Sequence, residues 1–201
     1  MPAMGASTTG TASGIRPICR LEGAVARMVT GQFSQKACDA MTEPDGRDRV
    51  EADAAARRLD VEFVERPAAG SLEEAAALLG IAPRRIVKTL VVRRHTPADA
   101  PNEYLFALIP GDKQISWSKL RAVVGVNKLS LPTAELALEA TGYERGTITP
   151  LGSTREWPVY IDAAVAGTRV AMGAGAPGFS AFVDVDAFVA AFDATVADIS
   201  G

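Results

Sequence analysis

The sequence predicts an α/β fold: a single domain with a mixed, curved, barrel-like β-sheet surrounded by helices. Two observations predict it. Runs of strand periodicity and runs of helical periodicity mix without a regular strand–helix–strand rhythm. Several neighbouring strand runs are also joined by connections of hairpin length, which a doubly wound parallel sheet does not allow. At 201 residues the chain is long enough for one sizeable core.

Residues 1–48 stand apart from that domain. "MPAMGASTTGTASG" is rich in Ser, Thr, Gly and Ala, has no periodicity and offers little to bury. The segment is expected to be a disordered or mis-annotated N-terminal extension, with Met28 and Met41 as later in-frame starts. The folded unit, 49–201, opens near Val50 with an Ala/Arg-rich helix through Arg58. "LDVEFV" then alternates, with Leu59, Val61 and Phe63 on one face and Asp60 and Glu62 on the other: a half-buried strand. Ser71 and Glu74 form a capping box before "LEEAAALL", and Gly80 stops that helix. "RIVKTLVV" and "YLFALIP" are strands joined by a polar loop. Ser116 caps a short helix through Val124, and "TAELALEA" is a helix ended by Gly142. Short strands are expected at "GTIT", "PVYID", "TRVAM" and "FSAFV". Asp184 caps a last helix whose Val185, Phe188, Val189 and Phe192 share one face.

Composition narrows the chemistry. No apolar run approaches the ~20 residues of a membrane span, and the N-terminus has no apolar secretory core. A cytoplasmic location and no membrane partner follow by default, and a monomer is expected. Cys19 and Cys38 lie outside any CxxC pattern, against a disulfide framework or zinc knuckle. The one histidine, His95, falls in the polar stretch "RRHTPADAP" and reads as an exposed loop residue. Ser-His-Asp or Cys-His chemistry would have to run through it, and a His-rich metal site is impossible, so the expected metal set is none.

Net charge is −3, unevenly spread. From Pro83 to Lys128 nine Lys/Arg face three Asp/Glu, a surplus of six; from Leu129 to Gly201 the count is three against nine. A locally basic face fits limited contact with a phosphate backbone better than binding along a DNA groove, and a simply solvated face would look the same.

Two motifs stand out. Gly173, Gly175 and Gly178 in "GAGAPG" have the spacing of a dinucleotide loop, but Pro177 interrupts it and a strand-like "FSAFV" follows. With no helix N-terminus to receive a pyrophosphate, the stretch reads as a glycine-rich turn that can line a pocket. Lys88 is sharper. Alternation places it with Ile86, Leu90 and Val92 on an apolar strand face, where burial is costly unless an anion or carbonyl meets it. A lysine snorkelling from an edge strand is the other reading.

"IVKTLVV", then "GYERGTITPLG" about fifty residues later, then "VYIDA" and the glycine-rich turn, resembles the YbaK family of aminoacyl-tRNA deacylases, the prolyl-tRNA editing domain, from about Val61 to the last helix. The resemblance implies a free-standing hydrolase that cleaves the ester between a wrong amino acid and tRNA. The expected substrate is tRNA for proline carrying Cys, Ala or a similar small amino acid. It implies no metal and no organic cofactor. Mischarged aminoacyl-tRNA is the implied partner, with prolyl-tRNA synthetase as a second.

Carried over by position, the family's lysine falls on Lys88, its loop glycines on Gly142, Gly146 and Gly152, and its loop proline on Pro150. Thr147 stands where a second glycine is frequent, Ser180 where some members have aspartate, and Val64 near a family tyrosine. These departures bear on which amino acid is cleared. The implied catalytic residues are Lys88 and Gly146. The implied substrate-binding residues are Thr147, Ile148, Thr149, Pro150, Gly152, Gly173, Gly175 and Ser180. Backbone N–H groups around Gly146, Thr147 and Ile148 would stabilise the oxyanion. Lys88 would hold the terminal phosphate or the ester carbonyl, and a bare backbone at Gly146 would admit the amino acid. The alternative is a non-catalytic module that binds tRNA acceptor ends or an aminoacyl-tRNA synthetase.

Overall fold

The structure, a computed structural model, describes residues 45–95 and 101–201. Most of the N-terminal extension, with its expected disorder and Cys19 and Cys38, lies outside the described residues, as do residues 96–100 of the polar loop.

The described strands are β1 (Val61–Glu65), β2 (Val87–Arg94), β3 (Glu103–Pro110), β4 (Leu129–Ser130), β5 (Val159–Asp162), β6 (Arg169–Gly173), β7 (Phe179–Asp184) and β8 (Thr195–Ala197). The helices are α1 (Gly46–Ala56), α2 (Leu72–Leu79), α3 (Trp117–Val124), α4 (Ala134–Thr141) and α5 (Val185–Phe192). One sheet runs β4-β2-β3-β5-β8 and the other β1-β7-β6. A parallel bridge from Ile86 to Ala171 ties the start of β2 to β6. The β2–β3, β6–β7 and β1–β7 pairs are antiparallel, whereas β3–β5 and β5–β8 are parallel, so the sheet is mixed as the sequence predicts.

Alternation divides the apolar side chains between two cores. Val87 and Val91 of β2 join Phe106, Leu108, Ile161, Val170 and Val183 in the main core. Leu90 and Val92, on the other face of β2, pack with Leu105, Ile109, Leu120 and Ile199 beneath α3.

The helix ends follow their caps. Ser71 Oγ accepts from Glu74 N–H at 3.1 Å, and the Glu74 carboxylate reaches back to Gly70 N–H at 2.7 Å. That is the expected box, displaced by one residue on its return arm. Asp184 accepts from the N–H groups of Asp186 and Ala187. Ser116 departs from expectation: its hydroxyl makes no cap bond and meets Ser118 Oγ instead.

Three further expectations are corrected. α1 begins at Gly46 under Asp45, so residues 46–48 belong to the folded unit and not to the extension. "GTIT" is not a strand, because Thr147 N–H and Thr147 Oγ1 both donate to Glu144 O, at 3.1 and 2.9 Å, and close a turn. α5 is not the last element: β8 follows it and pairs with β5, a run too short to show a period in sequence.

Candidate active site

Lys88 lies on the outer face of β2, half-buried, with Leu90 and Val92, as alternation requires. Its Nζ donates to the backbone carbonyl of Lys113, in the segment between β3 and α3. An ammonium has three donors, so two remain for a ligand.

The outer face of β1-β7-β6 carries two cross-strand rows. Val64, Ser180 and Gly173 form one, and Glu62, Phe182 and Ala171 the other. Ala171 bridges Ile86, and two residues further along each strand come Lys88 and Gly173, on the same side of the backbone. The curvature of the sheet therefore brings Lys88, Gly173 and Ser180 to one surface.

The loop from Gly142 to Gly152 crosses onto this surface. A Cβ at Gly173 would lie 2.5 Å from Ile148 O and 2.6 Å from Thr147 O, so the contact admits only glycine. Gly175 N–H donates to Thr147 O at 3.0 Å. Thr147, Ile148, Gly173, Gly175 and Ser180 are thus assembled as the sequence suggests. Of the three expected oxyanion donors, Thr147 N–H is taken by Glu144 O, whereas Gly146 N–H and Ile148 N–H make no hydrogen bond among the described residues. Gly146 itself is exposed, and a Cβ there would meet nothing within 4 Å. Its φ of +98° by itself calls for glycine.

Thr149, Pro150 and Gly152 are directed elsewhere. Thr149 is fully buried, with Oγ1 3.6 Å from Met172 Sδ. Pro150 and Gly152 line a cleft against α1, together with Arg49, Asp53 and Arg57. They support the loop from behind.

Sequence reasoning missed the groups that hold the loop. Arg49 Nη2 donates to Gly142 O at 2.6 Å, and Gly152 N–H donates to the Asp53 carboxylate at 2.9 Å. α1 therefore grips both ends. Tyr143, buried beneath the Arg49 guanidinium, donates its hydroxyl to Leu151 O at 2.7 Å. Burial pushes the Tyr143 phenol up to about 12, against a lowering by Arg49 and with a further push from Asp53. Tyr143 stood inside the quoted loop motif; Arg49 and Asp53 had no signal in the sequence.

Arg66 was missed as well. Its Nε donates to Ser180 Oγ at 3.0 Å and its N–H to Gly178 O at 2.8 Å. Extending the alternation Glu62, Val64 by one step would have placed Arg66 on the outer face. Two of the three positions that depart from the YbaK pattern, Val64 and Ser180, are direct cross-strand partners. The chain thus places a guanidinium beside the position where some members of that family have a carboxylate.

His95 is exposed at the far end of β2, with Nε2 2.9 Å from Ser130 Oγ. It stands seven positions along the chain from Lys88, about 23 Å in extended strand, too far to share a reacting atom. Among the described residues no three His, Cys, Asp or Glu side chains gather as a cation site, and no helix is long and apolar enough to cross a membrane.

The model of the aminoacyl-tRNA editing domain matches residues 66–191. Among curated proteins, the proline–tRNA ligase of Heliobacterium modesticaldum is 36% identical over 121 residues, which cover 60% of this chain and 20% of that protein. The proline–tRNA ligase of Geotalea daltonii is 34% identical over 110 residues, covering 55% of this chain and 18% of that one. The chain thus spans about a fifth of the length of these relatives. Among solved structures, a proposed trans-editing enzyme for prolyl-tRNA synthetase superposes with a TM-score of 0.67 at 27% identity, over 80% of this chain and 99% of that chain. A hypothetical protein superposes with a TM-score of 0.68 at 28% identity, over 76% and 99%. The matched family segment contains Lys88, the loop and the glycine-rich turn, and the chain belongs to the aminoacyl-tRNA editing domain family.

Proposed function

We propose that the protein is a trans-editing hydrolase that deacylates mischarged aminoacyl-tRNA, with tRNA for proline carrying alanine, cysteine or a similar small amino acid as substrate. The observation that carries this reading is the crossing of the 147–148 backbone over Gly173, beside Lys88 and Ser180, in a chain of the editing family. The site offers cations and backbone N–H groups with no histidine, which suits hydrolysis of an already activated ester better than cleavage of an amide.

In the proposed reaction water adds to the acyl carbonyl carbon, and the carbonyl oxygen becomes an oxyanion. The free N–H groups of Gly146 and Ile148 are its donors, each worth roughly 3 kcal/mol when well aimed. The C–O bond to the ribose then breaks, and the proton lost by water ends on the ribose oxygen. Lys88 orients the ester with the two donors it does not give to Lys113 O. Arg66, held by Ser180, adds a second positive charge near the site's entrance for the nucleic acid.

Incubating the protein with tRNA for proline charged with alanine, cysteine or proline tests the reading. Release of alanine or cysteine well above the uncatalysed rate, with prolyl-tRNA spared, is the expected result. Binding of the tRNA without release of any amino acid would instead identify a non-catalytic module for acceptor ends or for a synthetase.

A further inference from the structure

The outer face of β1-β7-β6 continues past the Ser180 row into a cleft of about 400 Å³ that the mechanism above does not use. Its floor is Phe182 with Val64, its wall is Leu79 at the end of α2 with Ile81 just beyond, and Arg85 and Arg169 stand at its rim. The geometry points to this cleft as the subsite for the 3′-terminal nucleoside of the tRNA, with its base on Phe182 and the adjoining phosphate on Arg169 and Arg85. The inference rests on the deacylase reading for the identity of the ligand.

Three features select a nucleotide. Phe182 lies two residues beyond Ser180 on the same face of β7, about 7 Å along the strand. An ester held at the Ser180 row is joined to the ribose of the terminal nucleoside, so a base one ribose away falls over Phe182. A half-buried aromatic floor with an aliphatic wall suits a flat base, whose faces are apolar.

The rim supplies the charge. The Arg169 guanidinium stands 6.0 Å from the Phe182 ring centroid and is paired with the Glu62 carboxylate at 2.6 Å. Both side chains of that pair are largely open to water, so the pair is weak and readily exchanged for a phosphate. Arg85 Nη1 donates to the backbone carbonyl of Arg169 at 3.2 Å, which holds the second guanidinium against the strand that carries the first. Two arginines against one glutamate leave the rim positive.

The test uses the full chain and the trinucleotide CCA with a free 3′-hydroxyl, which carries no ester and so reports binding apart from hydrolysis. Calorimetric titration should show CCA binding that weakens about tenfold or more in Phe182→Ala and is retained in Phe182→Trp. Arg169→Gln should weaken it too and flatten its dependence on salt. Thermal melts of each variant check folding, and if Phe182→Ala is unfolded, Arg169→Gln carries the test. Unchanged CCA affinity in folded Phe182→Ala or Arg169→Gln would overturn the subsite, as would no CCA binding by the wild type at millimolar concentration. Neither result touches the deacylation assay. Conversely, Phe182-dependent CCA binding by a protein that releases no amino acid upholds the cleft and removes the hydrolase reading.

Discussion

Gly146 and Gly173 lie in the two segments that meet at the site, and they are glycines for opposite reasons. Gly146 stands in open space with a positive φ, so its lack of a side chain serves the path of the backbone. Gly173 has an ordinary strand conformation, and two carbonyl oxygens occupy the place its Cβ would take. In one segment glycine shapes the loop; in the other it lets that loop come close. The meeting of the two segments thus depends on close approach at Gly173 and on the backbone path at Gly146.

The largest test removes the charge on the neighbouring strand, Lys88. Lys88→Ala should lower deacylation about 100-fold or more while the melting temperature holds or rises, because it deletes a half-buried ammonium from an apolar face. Lys88→Arg should also be poor, since a planar fork does not replace a compact charge. A folded Lys88→Ala protein with normal turnover would leave Lys88 as a snorkelling residue, and the site would have to be sought elsewhere.

Next comes the contact itself. Gly173→Ala drives a methyl into Ile148 O and Thr147 O, and the loop must retreat. A loss of kcat/KM of roughly 10- to 100-fold is expected, as displacements near 1 Å produce. Single-turnover kinetics that match the wild type would show that the loop does not act on the ester.

A smaller effect is expected at Tyr143, which is buried and holds the loop from beneath. Tyr143→Phe removes the bond to Leu151 O, at a cost of about 1–2 kcal/mol to stability. The phenol also carries a pH signature. Its folded-state pKa, about 12, lies above the ordinary value near 10, so its stabilisation is complete below pH 10 and is lost as pH rises toward 12. Denaturation midpoints measured across that window should fall more steeply in the wild type than in Tyr143→Phe. Parallel slopes would disprove the shift.

Gly146→Ala completes the series. Strain at φ +98° should cost about 1–2 kcal/mol, with activity kept within about threefold because no neighbour is struck. An activity loss as large as that of Gly173→Ala would erase the distinction between the two glycines.

Much of this was legible in the chain. The alternation of "RIVKTLVV" placed Lys88 on the outer face with Leu90 and Val92, and the strand after "GAGAPG" ruled out a dinucleotide loop. The caps at Ser71 and Asp184 stood where the residue types demanded. What failed was local bonding that competes with the sheet. "GTIT" has strand composition, yet Thr147 turns both its N–H and its hydroxyl back onto Glu144 O. Contacts across long stretches of chain were also hidden. Nothing near Asp53 announces that its carboxylate meets Gly152, 99 residues later, and Arg66 finds Ser180 only once β1 and β7 are paired. Periodicity reports which face a residue takes; it does not report what lies opposite.

Residues 114–116 follow directly on Lys113, whose carbonyl receives the Lys88 ammonium, and residues 199–201 are laced to them. Gly201 and Gln114 exchange two backbone hydrogen bonds, and Ser116 N–H donates to Ile199 O. Lys119 Nζ adds a bond to Ser200 O. On a ribosome the segment that holds Lys88 would emerge about 85 residues before the residues that tie it down. The lysine's anchor is thus completed only after those later residues have been made, and a substitution among them would loosen it without touching the lysine.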